Sequence, residues 1–348
     1  MPSPKAKSKS ATNTVAAPVV TVAIPTLHAG EPLAACLRSL EAQTFRHFEV
    51  VVIDNSGKRM VESAGSRGRV IHNTHNAGFG AAINQAYRTS QTRYIATLND
   101  DAQANPKWLE ELVACAERRP KAGMIAPCVM LGQTGTLDSA GMLIAADGTS
   151  KQRGHGEPPS VYEKESDALL CSGSAALYRR AMLEEIGLFD ETFFLYCEDT
   201  DLGLRGRWAG WECAYAPRAM VEHGYSQSAG KASPLKAYYV ERNRLYCAVK
   251  NLPWGMVLAS PFTAFLRYLW HAFALLEGHG KAAEFRESGH DTFLLPFLVF
   301  RAHVAMLWRL PRLLAERRRL KGLHKLSTAG FRVLLRNNWI SLREVASQ

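Results

Sequence analysis

The chain has few of the features that would settle its class at once. Its seven cysteines, Cys36, Cys115, Cys128, Cys171, Cys197, Cys213 and Cys247, include no close pairs. This excludes a disulfide scaffold and a zinc knuckle, and a reducing cytosolic compartment is the simplest account. The N-terminus lacks the uninterrupted apolar core of a secretory signal, so the main body is expected to face the cytoplasm. No GxGxxG follows a strand and no Gly-Lys-Ser/Thr opens a helix, which argues against nicotinamide binding and ATP hydrolysis. Two long apolar stretches near the C-terminus are interrupted by Arg267 and His271 and by Arg301 and His303, and neither reads as a clean spanning helix.

What is present is a folded chain with ample core: 348 residues, 47% hydrophobic, enough for one large or two modest domains. The formal net charge of +10 points to an anionic partner: nucleic acid, a nucleotide diphosphate or an acidic membrane surface. Residues 1–18, with Lys5, Lys7 and Lys9, lack periodicity and read as a disordered basic tail.

Regular α/β alternation starts at Val19–Ile24, a β-branched strand that Pro25 is expected to terminate. A helix with inward Leu33, Cys36, Leu37 and Leu40 follows, then a second strand, Phe48–Ile53, ending in Asp54-Asn55-Ser56-Gly57. This is the opening of a doubly wound fold. Asp54 is placed to accept from a base imide or ribose hydroxyl, or else simply to form an Asx turn. After a short third strand come Asn76, Gly78, Phe79, Gly80 and Asn84 at a helix entrance, where glycines admit a ligand and free N–H groups attract an anion.

The fourth strand, Tyr94–Leu98, leads into Asn99-Asp100-Asp101. Open α/β sheets place ligands just past such strand ends. If extended geometry persists, Asn99 and Asp101 point to one side and Asp100 to the other. One or both acids suit Mg²⁺ or Mn²⁺, hard ions that prefer oxygen. A second acidic cluster, Glu198, Asp199 and Asp201, follows four aromatic residues and opens a helix. Capping explains one of these carboxylates more easily than three. Transfer to a hydroxyl needs a base near that hydroxyl and positive charge beside the leaving group, and two clusters match that division. Small residues from Ser172 to Ala176 admit a close approach, and 155–167 reads as a polar loop over the site. Later, His223 ends an apolar stretch and could complete a metal shell, and Arg242 on a helix could meet a phosphate while Asn243 fixes a loop.

In this order, residues 19 to about 250 resemble the family 2 glycosyltransferases of the GT-A fold, particularly the bacterial rhamnosyltransferase-like branch. The resemblance rests on Pro25-Thr26, Asp54-Asn55-Ser56, Asn76 to Gly80 with Asn84, Leu98 to Asp101, Phe189 to Asp201, His223 with Ser226 and Ser228, and Arg242-Asn243. It implies an α/β GT-A nucleotide-diphospho-sugar transferase fold with a mainly helical C-terminal extension. A nucleotide-binding half would span 19–101, an acceptor half 102–250, and a helical, membrane-associated or dimerising region 251–348. The metal contact falls chiefly to Asp101, with Asn99 and His223 nearby, and Asp100 is an extra acid beside the donor. The general base falls to Asp199, with Glu198 the first alternative and Asp201 a structural residue. Pro25, Thr26, Asp54, Asn76, Gly78, Gly80, Asn84 and Arg242 would frame the donor.

The implied reaction is inverting transfer, with Mg²⁺ or Mn²⁺, of rhamnose or another hexose from a dTDP- or UDP-sugar to a hydroxyl of a cell-surface glycan or lipid-linked acceptor, in the manner of polysaccharide biosynthesis. The alternatives are a sugar nucleotidyltransferase and a non-catalytic glycan- or nucleotide-binding scaffold of the same fold. The basic, leucine-bearing run from Arg309 to Lys325 suits an anionic membrane surface, which would place the enzyme at the cytoplasmic face of the inner membrane. A homodimer through these helices is the structural alternative, and no nucleic acid is expected.

Overall fold

The computed structural model describes residues 17–224 and 232–347. Most of the expected tail, with Lys5, Lys7 and Lys9, lies outside the described residues, as do Ser226 and Ser228. In chain order the elements are β1 (Val20–Thr26), α1 (Glu31–Glu41), β2 (Phe48–Asp54), β3 (Gly68–His72), α2 (Phe79–Arg88), β4 (Tyr94–Thr97), β5 (Ala102–Ala104), α3 (Trp108–Arg118), β6 (Ala122–Leu131), β7 (Leu137–Ser139), β8 (Met142–Ile144) and β9 (Ser150–Gln152). They continue as β10 (Ser166–Ala168), β11 (Leu177–Arg179), α4 (Arg180–Ile186), α5 (Glu198–Trp208), β12 (Glu212–His223), α6 (Pro234–Asn251), α7 (Trp254–Leu276), α8 (Gly280–Glu287), α9 (Leu294–Lys321), α10 (Thr328–Asn337) and α11 (Leu342–Ser347).

The principal sheet runs β10-β12-β6-β11-β4-β1-β2-β3, with β5 added to β12 and β7 to β6. Val20, Val22, Ala23 and Ile24 are wholly buried, as a central parallel strand covered on both faces requires. Pro25 does not end β1, which continues to Thr26 in register with Asp54. Its missing N–H costs nothing. The carbonyls of Val19 and Ala23 accept from the β4 side and that of Thr26 from the β2 side, so Pro25 faces the β4 side, where β4 has already ended. Helix α1 buries Leu33, Cys36 and Leu40 against the sheet, each leucine contributing about 1.5–3 kcal/mol.

β11 is the feature that makes the sheet mixed: it runs antiparallel to both β4 and β6 and joins the two halves. β12 pairs in parallel with β6 and, at its far end, antiparallel with β5, setting His223 opposite Ala102. The stretch 155–167, expected as a loop over the site, is tied to the sheet instead. β10 pairs with β12, and the Tyr162 ring packs edge-on against Tyr215.

The C-terminal helices share a hydrophobic cluster with the sheet region, in which Phe193, Leu204 and Trp208 meet Tyr246, Leu252, Leu313, Phe331 and Leu335. The Trp208 ring stacks on His324 at 4.0 Å and on Phe331 at 3.8 Å between centroids. The apolar stretch beginning at Phe293 and the basic run after Arg309 form one helix, α9. α9 is long and apolar enough to cross a membrane by length and composition alone, with a mean hydropathy of 1.2.

Candidate active site

The turn after β4 does not continue the strand. Ala102 N–H donates to the Asn99 carbonyl, and the tight turn separates three side chains that an extended chain would only have alternated. The Thr26 hydroxyl meets Asp100 Oδ2 at 2.5 Å, while Asp101 Oδ1 stands 3.3 Å from His223 Nε2 and Asn99 Nδ2 3.0 Å from the same nitrogen. The β5–β12 pairing produces this juxtaposition, reinforced by Gly224 N–H donating to the Asp101 carbonyl. A Cβ on Gly224 would lie 3.1 Å from that oxygen, a tight contact that any side chain there would have to relieve.

His223 also faces Asp138 at 3.3 Å through Nδ1. Burial alone would lower its pKa, but the neighbouring Asp101 and Asp138 carboxylates raise it to about 9. Asp138, whose burial would raise it, is held at about 2 by His155 and His223. Asp138 thus fixes the ring from behind, the orienting role that second carboxylates play for metal-ligating histidines.

Glu198 and Asp199 open α5 after a backbone with positive φ at Phe194, Tyr196 and Cys197. Such conformations are strained for residues with a Cβ and need external support. Asn243 supplies it by donating to the carbonyls of Phe193, Leu195 and Tyr196, as the sequence led one to expect. Asp199 accepts from Gly173 N–H at 2.9 Å and Thr200 N–H at 2.6 Å and lines the cavity. Burial nevertheless raises its pKa. Glu198 is more deeply buried, its Oε2 has no hydrogen-bond partner among the described residues, and burial followed by the Asp199 charge raises it well above the carboxylate range. Asp201 is a different kind of group: wholly buried, and held at about 2, against burial, by Lys250, Arg205 and Asn251.

The two acidic clusters share one cavity of about 1160 Å³, and the segment 172–174 links them. Ser174 carbonyl accepts from Asn99 N–H while Gly173 N–H holds Asp199. The small residues noted from the sequence thus serve a backbone approach.

Several expected donor contacts lie elsewhere. Pro25, Thr26, Asn76 and Asp100 line the cavity; Asp54, Gly78, Gly80, Asn84 and Arg242 do not. The Asp54 carboxylate is buried and taken by Ser56 and Val61 N–H groups, with His72 at 3.3 Å. It forms the Asx turn of the blander reading, and neighbouring Asn55 faces the cavity in its place. Gly78 and Gly80 give room to protein: added Cβ atoms would come within 2.3 Å of the Phe194 carbonyl oxygen and 2.9 Å of Phe189 Cβ. Phe79 N–H, expected to be free at the helix start, donates to the Phe194 carbonyl. Asn84 clamps the same loop through Phe189 and Glu191, and Arg242 does so through the carbonyls of Thr192 and Phe193. In this structure the 189–197 loop takes the side-chain hydrogen bonds of Asn84 and Arg242. Sequence reading missed Asp138, His155 and Lys151, all on the cavity wall. The first two fall in a run of short strands whose partners no periodicity reveals.

A mixed sheet with one antiparallel strand between its halves, opening onto an Asn-Asp-Asp turn, a histidine and a second carboxylate pair, defines a nucleotide-sugar transferase fold of the GT-A type. Residues 21–187 match the model of "Glycosyl transferase family 2". An N-acetylglucosaminyl-diphospho-decaprenol L-rhamnosyltransferase of Mycobacterium tuberculosis is 29% identical over 266 residues, covering 68% of this chain and 85% of its own. The O-antigen biosynthesis protein RfbC of Myxococcus xanthus is 27% identical over 256 residues, 68% of this chain and 19% of its own. GalNAc-T7, crystallised with UDP, GalNAc and Mn²⁺, superposes with a TM-score of 0.55 at 15% identity over 68% of this chain and 48% of its own, a likeness of fold.

Proposed function

We propose that this chain is an inverting glycosyltransferase that moves rhamnose or another hexose from a dTDP- or UDP-sugar to a hydroxyl of a lipid-linked or cell-surface glycan. The observation that carries it is the single cavity shared by the Asn99–Asp101–His223 group and the Glu198–Asp199 pair. A sugar transferase needs both, one at the leaving diphosphate and one at the attacking hydroxyl.

Among the described residues no three His, Cys, Asp or Glu side chains form a ready-made metal cluster. Asp101 and His223 offer one carboxylate and one imidazole beside an open cavity, with room for diphosphate oxygens and water to complete a coordination sphere. That donor set fits Mn²⁺ or Mg²⁺. Bound there, the ion would supply positive charge to the departing nucleotide diphosphate. Asp101 and His223 would hold it, Asn99 and Asp138 fix the imidazole, and Asp100 with Thr26 shapes the wall beside it. Asp199 takes the proton of the acceptor hydroxyl as that oxygen attacks the anomeric carbon from the face opposite the leaving group, inverting its configuration. Glu198, favoured as the neutral acid by burial, lies beside the base without competing for that proton.

The test is binding and slow hydrolysis of a panel of UDP-, dTDP- and GDP-sugars, with and without Mg²⁺ or Mn²⁺. One nucleotide-sugar should bind selectively with metal, and Asp101→Ala should weaken that binding by about tenfold or more. Absence of recognition by a demonstrably folded protein would remove the transferase reading in favour of a scaffold.

We place the enzyme on an anionic lipid surface. Leu258, Phe262, Phe265, Leu269, Phe273 and Leu276 lie exposed at helical spacing on α7, and Phe297, Phe300, Leu307 and Trp308 do so on α9, which continues into exposed Arg312, Arg318 and Arg319. Apolar side chains beside a cationic run match an acyl boundary and its anionic headgroups. In flotation, most of the full-length protein should rise with phosphatidylglycerol-containing vesicles, and Phe262→Ser with Phe300→Ser should leave it at the bottom. Protein that stays at the bottom with every lipid composition, and sediments as a dimer, would assign these faces to self-association.

A further inference from the structure

The cavity extends past the two acidic clusters. It continues between α6, α7, α8 and α9, where its wall carries Lys151 on β9, Lys236 on α6 and Lys281 on α8, and then apolar Leu275, Val299 and Phe300. The lysines form one electrostatic group. Burial depresses the Lys151 pKa to about 7, and the charges of Lys281, Arg267 and Lys236 push in the same direction. Lys281 meets Glu284, and Arg267 is bound by Asp147 and Glu241. Among the described residues no carboxylate stands within ion-pair distance of Lys151. Lys151, on a concave wall that it shares with two further lysines, is a cation that a bound anion would relieve.

Its position places it on the acceptor side. Ser150 bonds Thr200 at 2.8 Å and Gln152 reaches Ser172 at 3.4 Å, so Lys151 sits between two residues that contact the immediate neighbours of Asp199 and Gly173. Lys236 lies 5.7 Å from the centre of the Tyr196 ring, two residues before Glu198. The apolar wall beyond the lysines opens toward Phe300, one of the exposed residues of α9.

Resting on the transferase reading above, we propose that Lys151, Lys236 and Lys281 form a phosphate subsite for the acceptor, which is a saccharide joined through phosphate or diphosphate to a long apolar chain. The anion sits among the lysines, the sugar hydroxyl reaches Asp199, and the chain leaves over Leu275, Val299 and Phe300 to the lipid surface. One cavity thereby orders the acceptor from membrane to base.

The experiment measures binding of farnesyl diphosphate, farnesol, inorganic pyrophosphate and UDP with Mn²⁺ to the full-length protein and to Lys151→Gln/Lys236→Gln. Farnesyl diphosphate should bind at least about tenfold more tightly than farnesol or pyrophosphate, because it alone uses both the cationic and apolar walls. The double variant should lose about tenfold or more toward it, as expected for two charge-assisted hydrogen bonds, while UDP affinity stays unchanged. Lys151→Arg/Lys236→Arg should recover the affinity, and an unchanged melting temperature excludes unfolding as the cause. Equal binding of farnesyl diphosphate and farnesol would overturn the subsite, as would loss of UDP rather than farnesyl diphosphate binding, which would assign the lysines to the donor. Failure of every nucleotide-sugar in the panel would instead overturn the transferase reading, and would do so whatever farnesyl diphosphate does.

Discussion

Asp199→Asn is expected to lower kcat by about 10²–10⁴-fold, the contribution of a positioned general base, while metal-dependent donor binding stays near the wild-type value. The amide keeps the size of the carboxylate but can accept from only one of the Gly173 and Thr200 N–H groups, so the loss reports chemistry when donor affinity and melting temperature stay at the wild-type value. The pH profile carries the same information. Burial raises the Asp199 pKa, and only the ionised form accepts a proton, so kcat should rise with pH through an apparent value above the ordinary 3.8 and then level off. Glu198 and Asp199 interact, so that value belongs to the pair. Glu198→Gln, which mimics the neutral acid, should retain most of the activity. An inactive Glu198→Gln beside an active Asp199→Asn would exchange the two roles.

The second large effect concerns stability. Glu241 on α6 receives Arg244 and, at 2.7 Å, both Arg267 and Tyr268 of α7, while Asp147, in the turn between β8 and β9, takes Arg267 at 2.6 Å. All four charges are buried. Glu241→Ala strands two guanidinium groups with one carboxylate, and should cost about 3–5 kcal/mol and roughly 4–7 °C in Tm. Replacing Glu241 by Leu together with Arg244 and Arg267 by Met should recover much of it, since desolvation offsets most of the Coulombic gain.

The arginines depress the pKa of Glu241 and Asp147, with burial opposing them. Groups with depressed folded pKa values stabilise above their unfolded values, about 4, and that stability is lost as pH falls from there toward the folded ones. Wild type should therefore lose stability steeply below pH 4 in chemical denaturation, and Glu241→Gln should show a shallower decline. A Glu241→Ala protein of wild-type Tm would show that the cluster contributes nothing net.

The central strands were legible because parallel strands buried on both faces must be continuous apolar runs, and the two acidic clusters because carboxylates are rare beside such runs. The roles of Asp54, Asn84 and Arg242 were not. Each is a polar residue of the type that binds a nucleotide, and nothing in its spacing shows that Asp54 takes N–H groups of its own turn or that Asn84 and Arg242 reach the carbonyls of a strained loop. The strain itself resides at Phe194, Tyr196 and Cys197, residues that no one would place at positive φ from their identities. Asp138 was invisible for a related reason: its importance comes from His223, which lies far along the chain and reaches it only through the pairing of β12. Pro25 misled in the opposite direction. A proline facing the side of a strand where its neighbour has ended is harmless.

The pairing of β6 has a consequence for how this protein can be divided. The family-matching segment, 21–187, looks like a self-sufficient module, yet β6 lies between β11 and β12, and nearly all of its ten residues are buried. Cut at residue 187, the chain would keep Asp101 but lose His223 and Asp199, and would present the apolar β6 as an open edge, ready to recruit any other unpaired strand. A gene truncated there should therefore yield insoluble aggregate rather than a weak enzyme, which makes the second half of this sheet the chaperone of the first.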